Sequence, residues 1–283
     1  MTGHADADMD RRVHIYRWRL LDHNRKDDGP RLSMSGAKTY RGCPAAYFYK
    51  YVGRMGDHRG AEWYMEFGSL IHEALSWVND HYIEHGEYPR EEDMVEAAYG
   101  MVVESKLLSV ADRVRLGPVA HRVLSHYYKT VMRQVVPVLS EVPFLLESES
   151  GTRVYGIVDV SEADALWDYK VTARPVKLAE MHADQLNLYS VAFRMITGSW
   201  PSRVGVINLV RSAAPETHVR GMDLTGSNVQ QTLDSLEAVW YDIQRRPFDP
   251  LPSSACGKCL FADHPCGAGA QYAKGAPASA VRG

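Results

Sequence analysis

The stretch Val154-Tyr-Gly-Ile-Val-Asp159-Val-Ser-Glu-Ala-Asp-Ala-Leu-Trp-Asp168-Tyr-Lys170-Val171 decides the fold. β-Branched and apolar residues surround three polar ones, and Ser161 to Asp164 make a small polar turn. That pattern predicts a β-hairpin. Side chains alternate along a strand, so Asp168 and Lys170 share a face, with Asp159 near the end of the preceding strand. Two carboxylates and an ammonium on one strand surface can hold a hard cation such as Mg²⁺ or Mn²⁺ through oxygen. The cation would acidify a water, and the lysine would orient it or offset charge on a phosphate. The plainer alternative is a surface hairpin with a weak Asp–Lys pair.

Working outward, residues 143–149 read as a strand that leads into the hairpin, with Glu147 as its polar residue. Thr172, Arg174 and Lys177 follow the hairpin in a loop. A helix is expected over about 178–196, where Gln185 and Tyr189 share a face at i, i+4. Residues 203–210 form the next strand, and a strand–helix–strand crossover would make it parallel to the hairpin's last strand. One more strand (218–224) and a helix (228–245) precede Pro247, Pro250 and Pro252.

Upstream, Phe67, Leu70, Ile71, Ala74, Leu75 and Val78 make one apolar helical stripe with His72 at its border. Docking that stripe on the sheet would bring His72 to the hairpin's edge. Residues 94–108 and 119–139 read as a helical insertion (about 90–140), broken near Val114 to Pro118. Residues 1–30 are polar and suggest a disordered or loosely docked arm, and the Gly/Ala/Ser-rich 269–283 a flexible tail. Residues 31–268 are expected to form one domain.

The 283 residues are 45% hydrophobic and carry 32 Lys/Arg against 35 Asp/Glu, a net charge of −3. No basic excess advertises a nucleic-acid binder, although a local groove would suffice for a metal-dependent nuclease. No apolar run approaches the roughly 18 residues of a membrane span, so the expected location is cytoplasmic. Cys256-x-x-Cys259 and Cys266 crowd one loop, and Cys43 must come from the far end of the chain. In a reducing compartment four thiols suggest metal binding. Spacing alone leaves Zn²⁺ and an iron–sulfur cluster open, and His264 is a substitute ligand.

The order His72, Asp159, Asp168-Tyr-Lys170, Gln185-x-x-x-Tyr189 resembles the PD-(D/E)XK nuclease superfamily in its RecB-like branch. With Cys43 upstream and the three cysteines downstream, it resembles the iron–sulfur subset, which includes CRISPR-associated adaptation exonucleases, AddB-type subunits and phage exonucleases. The resemblance implies an α/β fold with a restriction-endonuclease-like core: a mixed central sheet flanked by helices. It implies that His72, Asp159 and Asp168 ligate Mn²⁺ or Mg²⁺, with the Tyr169 carbonyl as a further ligand. Lys170 would be the catalytic lysine, supported by Gln185 and Tyr189. The four cysteines would hold a 4Fe–4S cluster. Val158 stands where the superfamily name has proline, and Glu147 aligns loosely with an acidic residue before the hairpin. The implied activity is exonucleolytic hydrolysis of single-stranded DNA ends, 5′→3′, in phage or prokaryotic DNA processing. Trimming of prespacers with a partner integrase, and a non-catalytic metal-clasped DNA-binding subunit, are alternatives. A homo-oligomer and a recombination partner stay open. DNA-contact candidates are Tyr47, Tyr49, Lys50, Tyr51 and Arg54, an aromatic-basic mix suited to bases and phosphates; Tyr47 and its neighbours would otherwise be core aromatics. Arg174, Lys177, Arg203 and Arg211 are further candidates.

Overall fold

The computed structural model describes residues 2–22, 29–55, 63–175, 182–262 and 265–268. Lys177, His264 and the 269–283 tail lie outside them. A six-stranded sheet runs β1 (Trp18–Leu21), β2 (Leu139–Ser148), β3 (Arg153–Ser161), β4 (Ala165–Thr172), β5 (Arg203–Val210), β6 (Glu216–Met222) in spatial order. All neighbours are antiparallel except β4 and β5, which are parallel across the crossover helix α7 (Ala183–Thr197). The expected mixed sheet flanked by helices is present.

Two apolar cores flank the sheet. On one face α2 (Met34–Gly42), followed by the short α3 (Pro44–Tyr47), α7 and α8 (Gly226–Arg245) bury Ala37, Leu188 and Leu233 against Phe144 and Val158. On the other, α4 (Trp63–His85), α5 (Glu91–Glu104) and α6 (Val110–Thr130) bury Ile71, Val102 and Leu124 against Val160 and Trp167. The stripe on α4 docks on β2, β3 and β4 as its periodicity requires. Gly156 in β3 is needed for a close approach, because a Cβ there would fall 2.6 Å from the Phe144 ring and 2.9 Å from Tyr189.

Three expectations need correction. Among its described residues the N-terminal segment is docked: α1 (Thr2–Arg12) packs on α8, and β1 pairs with β2. Asp10 of α1 takes Arg194 and the Trp200 indole N–H as partners, at 2.6 and 2.8 Å. The break at Val114 to Pro118 does not occur. Pro118 sits inside α6, and the carbonyl its ring leaves unbonded belongs to exposed Val114, which water can solvate. The second predicted helix (119–139) ends earlier, at Thr130, and residues from Leu139 on belong to β2.

Candidate active site

Across the β2–β3 ladder, Ser140 faces Val160 and Val142 faces Val158, so Glu141 falls opposite Asp159. Glu141 is left-handed at φ 46°, a conformation that strains a non-glycine residue. The strands turn over here. Val158 points into one core and Val160 into the other, although two residues apart on a regular strand share a face. β4 also leaves β3 at this point, pairing only at Trp167 and Leu166, and the Tyr169 N–H donates to Asp159 Oδ2 at 2.7 Å instead. The local irregularity therefore aims two carboxylates at the N-terminal half of α4.

His72 on α4 meets them. Its Nδ1 lies 3.6 Å from Asp159 Oδ2 and 3.9 Å from Glu141 Oε1. One ligand atom from each of His72, Glu141 and Asp159 lies within 4.8 Å of the others, a spacing one divalent cation can span. The Tyr169 carbonyl faces the imidazole as well. Asp168 stands beside this trio rather than in it. It is almost wholly buried, and its Oδ2 is 2.6 Å from Lys170 Nζ. Its Oδ1 meets no hydrogen-bond donor among the described residues, which leaves a buried acceptor for a cation or a water. Lys170 Nζ also reaches Gln185 Oε1 at 3.4 Å, and Gln185 Nε2 donates to the Tyr189 hydroxyl at 2.8 Å.

The electrostatics describe a site short of positive charge. Burial, with Asp159 and Asp80 nearby, pushes Glu141 up to about 7. Burial pushes Asp159 and Asp168 up to about 6, against the pull of Lys170. Burial and Lys170 lower His72, so its imidazole is neutral and able to ligate at pH 7. His72, Glu141, Tyr169 and Lys170 line a cleft of about 1030 Å³ together with Tyr64, Met65, Ser76, Trp77 and Asp80.

Glu141 escaped the sequence reading, because it falls between the helix expected to end at 139 and the strand expected to begin at 143. Glu147 does not approach the site: Arg153 and Arg19 hold it on the far part of β2. Asn208 was also missed. Buried on β5 opposite Lys170, it donates to the Lys170 carbonyl at 2.9 Å and to Thr172 Oγ1 at 2.8 Å, fixing the strand that carries the amine. His182, before α7, is lowered to about 4 by burial and by the charges of Lys170 and Lys38.

Among the DNA-contact candidates, Tyr47 is buried and stacks on Phe248, so it is a core aromatic. Tyr49 packs on Phe261, Lys50 is exposed beside Tyr51, and Arg54 and Arg174 are exposed. Arg203 sits at the start of β5, bound to Asp164 at 3.1 Å and away from Lys170.

The four cysteines come together at a second place. Cys43, Cys256, Cys259 and Cys266 surround a cavity of about 200 Å³ with Tyr49, Pro250 and Phe261. Backbone N–H groups of Leu251 and Ser253 approach Cys43 Sγ and Cys256 Sγ at 3.4 Å. No three of these sulfurs lie within 4.8 Å of one another among the described residues.

A mixed sheet that presents carboxylates and a lysine to a helix-borne histidine defines a class of metal-dependent phosphodiester hydrolase. Residues 31–264 match the PD-(D/E)XK nuclease superfamily, and the chain belongs to it. A crystal structure from Eubacterium rectale, described as "Putative exonuclease", shares the fold with a TM-score of 0.53. It is 16% identical, and the alignment covers 80% of this chain and 86% of that one. No curated protein matches the chain. No helix among the described residues is long and apolar enough to cross a membrane.

Proposed function

We propose that this chain is an exonuclease that hydrolyses single-stranded DNA from its ends, 5′→3′, using Mn²⁺ or Mg²⁺. The observation that carries the reading is the convergence of His72, Glu141 and Asp159 within reach of one cation, with Lys170 in the same cleft. A cation bound there supplies an acidified water and a polarised phosphate. The protein's own residues do the rest. Asp168 and Gln185 hold the Lys170 ammonium toward the cleft, where it orients the attacking water and meets charge growing on the phosphate. Tyr189 fixes Gln185, and Asn208 fixes the Lys170 backbone. Exposed Tyr64, Met65 and Trp77 offer apolar faces to splayed bases.

The cysteine cavity supports the finer RecB-like reading, with a 4Fe–4S cluster as its clasp. The cavity and the two N–H groups aimed at sulfur suit an anionic cluster. The clasp would tie the end of α2 to the segment after α8. The working place is the cytoplasm, where such thiols stay reduced.

End-labelled linear and circular DNA, single- and double-stranded, tests the activity. Stepwise loss from linear single strands with Mn²⁺ or Mg²⁺, and none with chelator, is expected. Intact linear DNA under every metal would refute it, and cleavage of circles would replace the exonuclease by an endonuclease.

A further inference from the structure

An extended strand is a polyanion, yet among the described residues Lys170 is the one lysine or arginine lining the cleft, against Glu73, Asp80 and Glu141. Further cations at its margin would seat the rest of the strand. One pair is built for this. Two guanidinium groups lie over the Trp63 indole, Arg115 at 4.2 Å and Arg211 at 4.7 Å from its ring centre. Such stacking costs a guanidinium none of its N–H donors.

The pair adjoins the cleft. Arg211 extends the parallel ladder one step beyond β5, its N–H bonded to the Thr172 carbonyl at 2.8 Å, two residues past Lys170. Trp63 and Val171 pack against the same core, and Tyr64, whose ring meets Trp63 edge-on, lines the cleft. Trp63 precedes His72 by nine residues of α4, about 13 Å at 1.5 Å per residue.

The two arginines differ. Arg115 is committed to Asp112 at 2.8 Å. Arg211 has no carboxylate within 4 Å among the described residues, and Arg115 is the charge beside it. Burial and that like charge both lower its pKa. A half-buried guanidinium on a rigid aromatic plate, next to a second one, suits a phosphate.

We propose that Arg211, held on Trp63 beside Arg115, seats a backbone phosphate of the substrate strand a few nucleotides from the bond that is cut. This rests on the nuclease reading and adds a positioning residue to it. Two guanidinium groups lie over the Trp63 ring, so the indole serves as a platform for the arginines.

The test uses the full chain with Lys170→Ala, which prevents cleavage, and a fluorescent single strand of about 20 nucleotides titrated between about 50 and 200 mM salt. Adding Arg211→Ala should raise Kd roughly five- to tenfold and flatten the slope of log K against log salt by about 0.7, the loss of one contact. Arg211→Lys should keep the slope and weaken binding by a factor of about 2–3. Arg211→Gln repeats the measurement should the alanine variant misfold. In the otherwise wild-type enzyme Arg211→Ala should raise KM more than it lowers kcat. A folded Arg211→Ala or Arg211→Gln protein with unchanged slope and Kd overturns the proposal and leaves the nuclease reading intact. Absence of any salt-dependent binding in the parent overturns both.

Discussion

Glu141 faces Asp159 across β2 and β3, and His72 Nδ1 lies within 4 Å of an oxygen of each. Burial raises the pKa of both carboxylates above its usual value, and the nearby Asp159 raises that of Glu141 further. A cation between them would relieve that cost, and Glu141 accepts a left-handed backbone to be there.

Strain and ligation should separate on substitution. Glu141→Gly removes the φ penalty and one half-buried charge, so the cation-free protein gains about 1 kcal/mol, or a few degrees in Tm. The same change should weaken Mn²⁺ binding at least tenfold, in the range seen when metal sites lose a partner. Calorimetric melting and Mn²⁺ titration check both halves. A less stable variant with unaltered affinity would contradict the role given to Glu141.

Stability should depend on pH in a direction set by the same groups. Asp159 and Asp168 titrate near 6 and Glu141 near 7 in the fold, above the ~4 of an unfolded chain. Their contribution is present below about pH 4 and is lost as pH rises through 6 to 7. Without a cation, these groups should lower Tm between pH 5 and 7.5, and Mg²⁺ or Mn²⁺ should raise it by several degrees more at pH 7.5 than at pH 5. Differential scanning calorimetry at the two pH values decides, and an equal shift at both would count against the cation site.

Lys170→Ala should keep Mn²⁺ affinity within about threefold while lowering cleavage at least 10²-fold, the scale of one lost charge-stabilising donor. It also strips buried Asp168 of its ammonium, so Asp168 should take up a proton near neutrality and the variant should lose stability as pH rises. Robust cleavage by the variant would remove Lys170 from the mechanism.

Each of Cys43→Ser, Cys256→Ser, Cys259→Ser and Cys266→Ser should lower bound iron, visible absorption and Tm together, because the clasp joins distant parts of the chain. Colourless protein holding zinc at one per chain would replace the cluster by a zinc clasp.

How far the site was legible depends on where each residue's partners lie. The hairpin declared itself through Val158, Val160 and Trp167, and its Asp159, Asp168 and Lys170 came with it. The parallel pairing of β4 with β5 followed from one intervening helix. Glu141 did not, since a φ of 46° is a tertiary compromise that no side-chain pattern announces. α1 and β1 were hidden for a related reason. Their partners, Arg194 for Asp10 and Ser148 for Trp18, lie more than 120 residues away. Asn208 reads as a polar interruption in an apolar strand until the Lys170 carbonyl stands opposite it.

Crystals soaked in Mn²⁺ and measured for anomalous scattering test the central claim most directly. One manganese peak per chain is expected at about 2.2 Å from a His72 nitrogen and from oxygens of Glu141 and Asp159, and it should vanish in Asp159→Asn. Manganese bound elsewhere, or a cleft that stays empty at saturating metal, would contradict it.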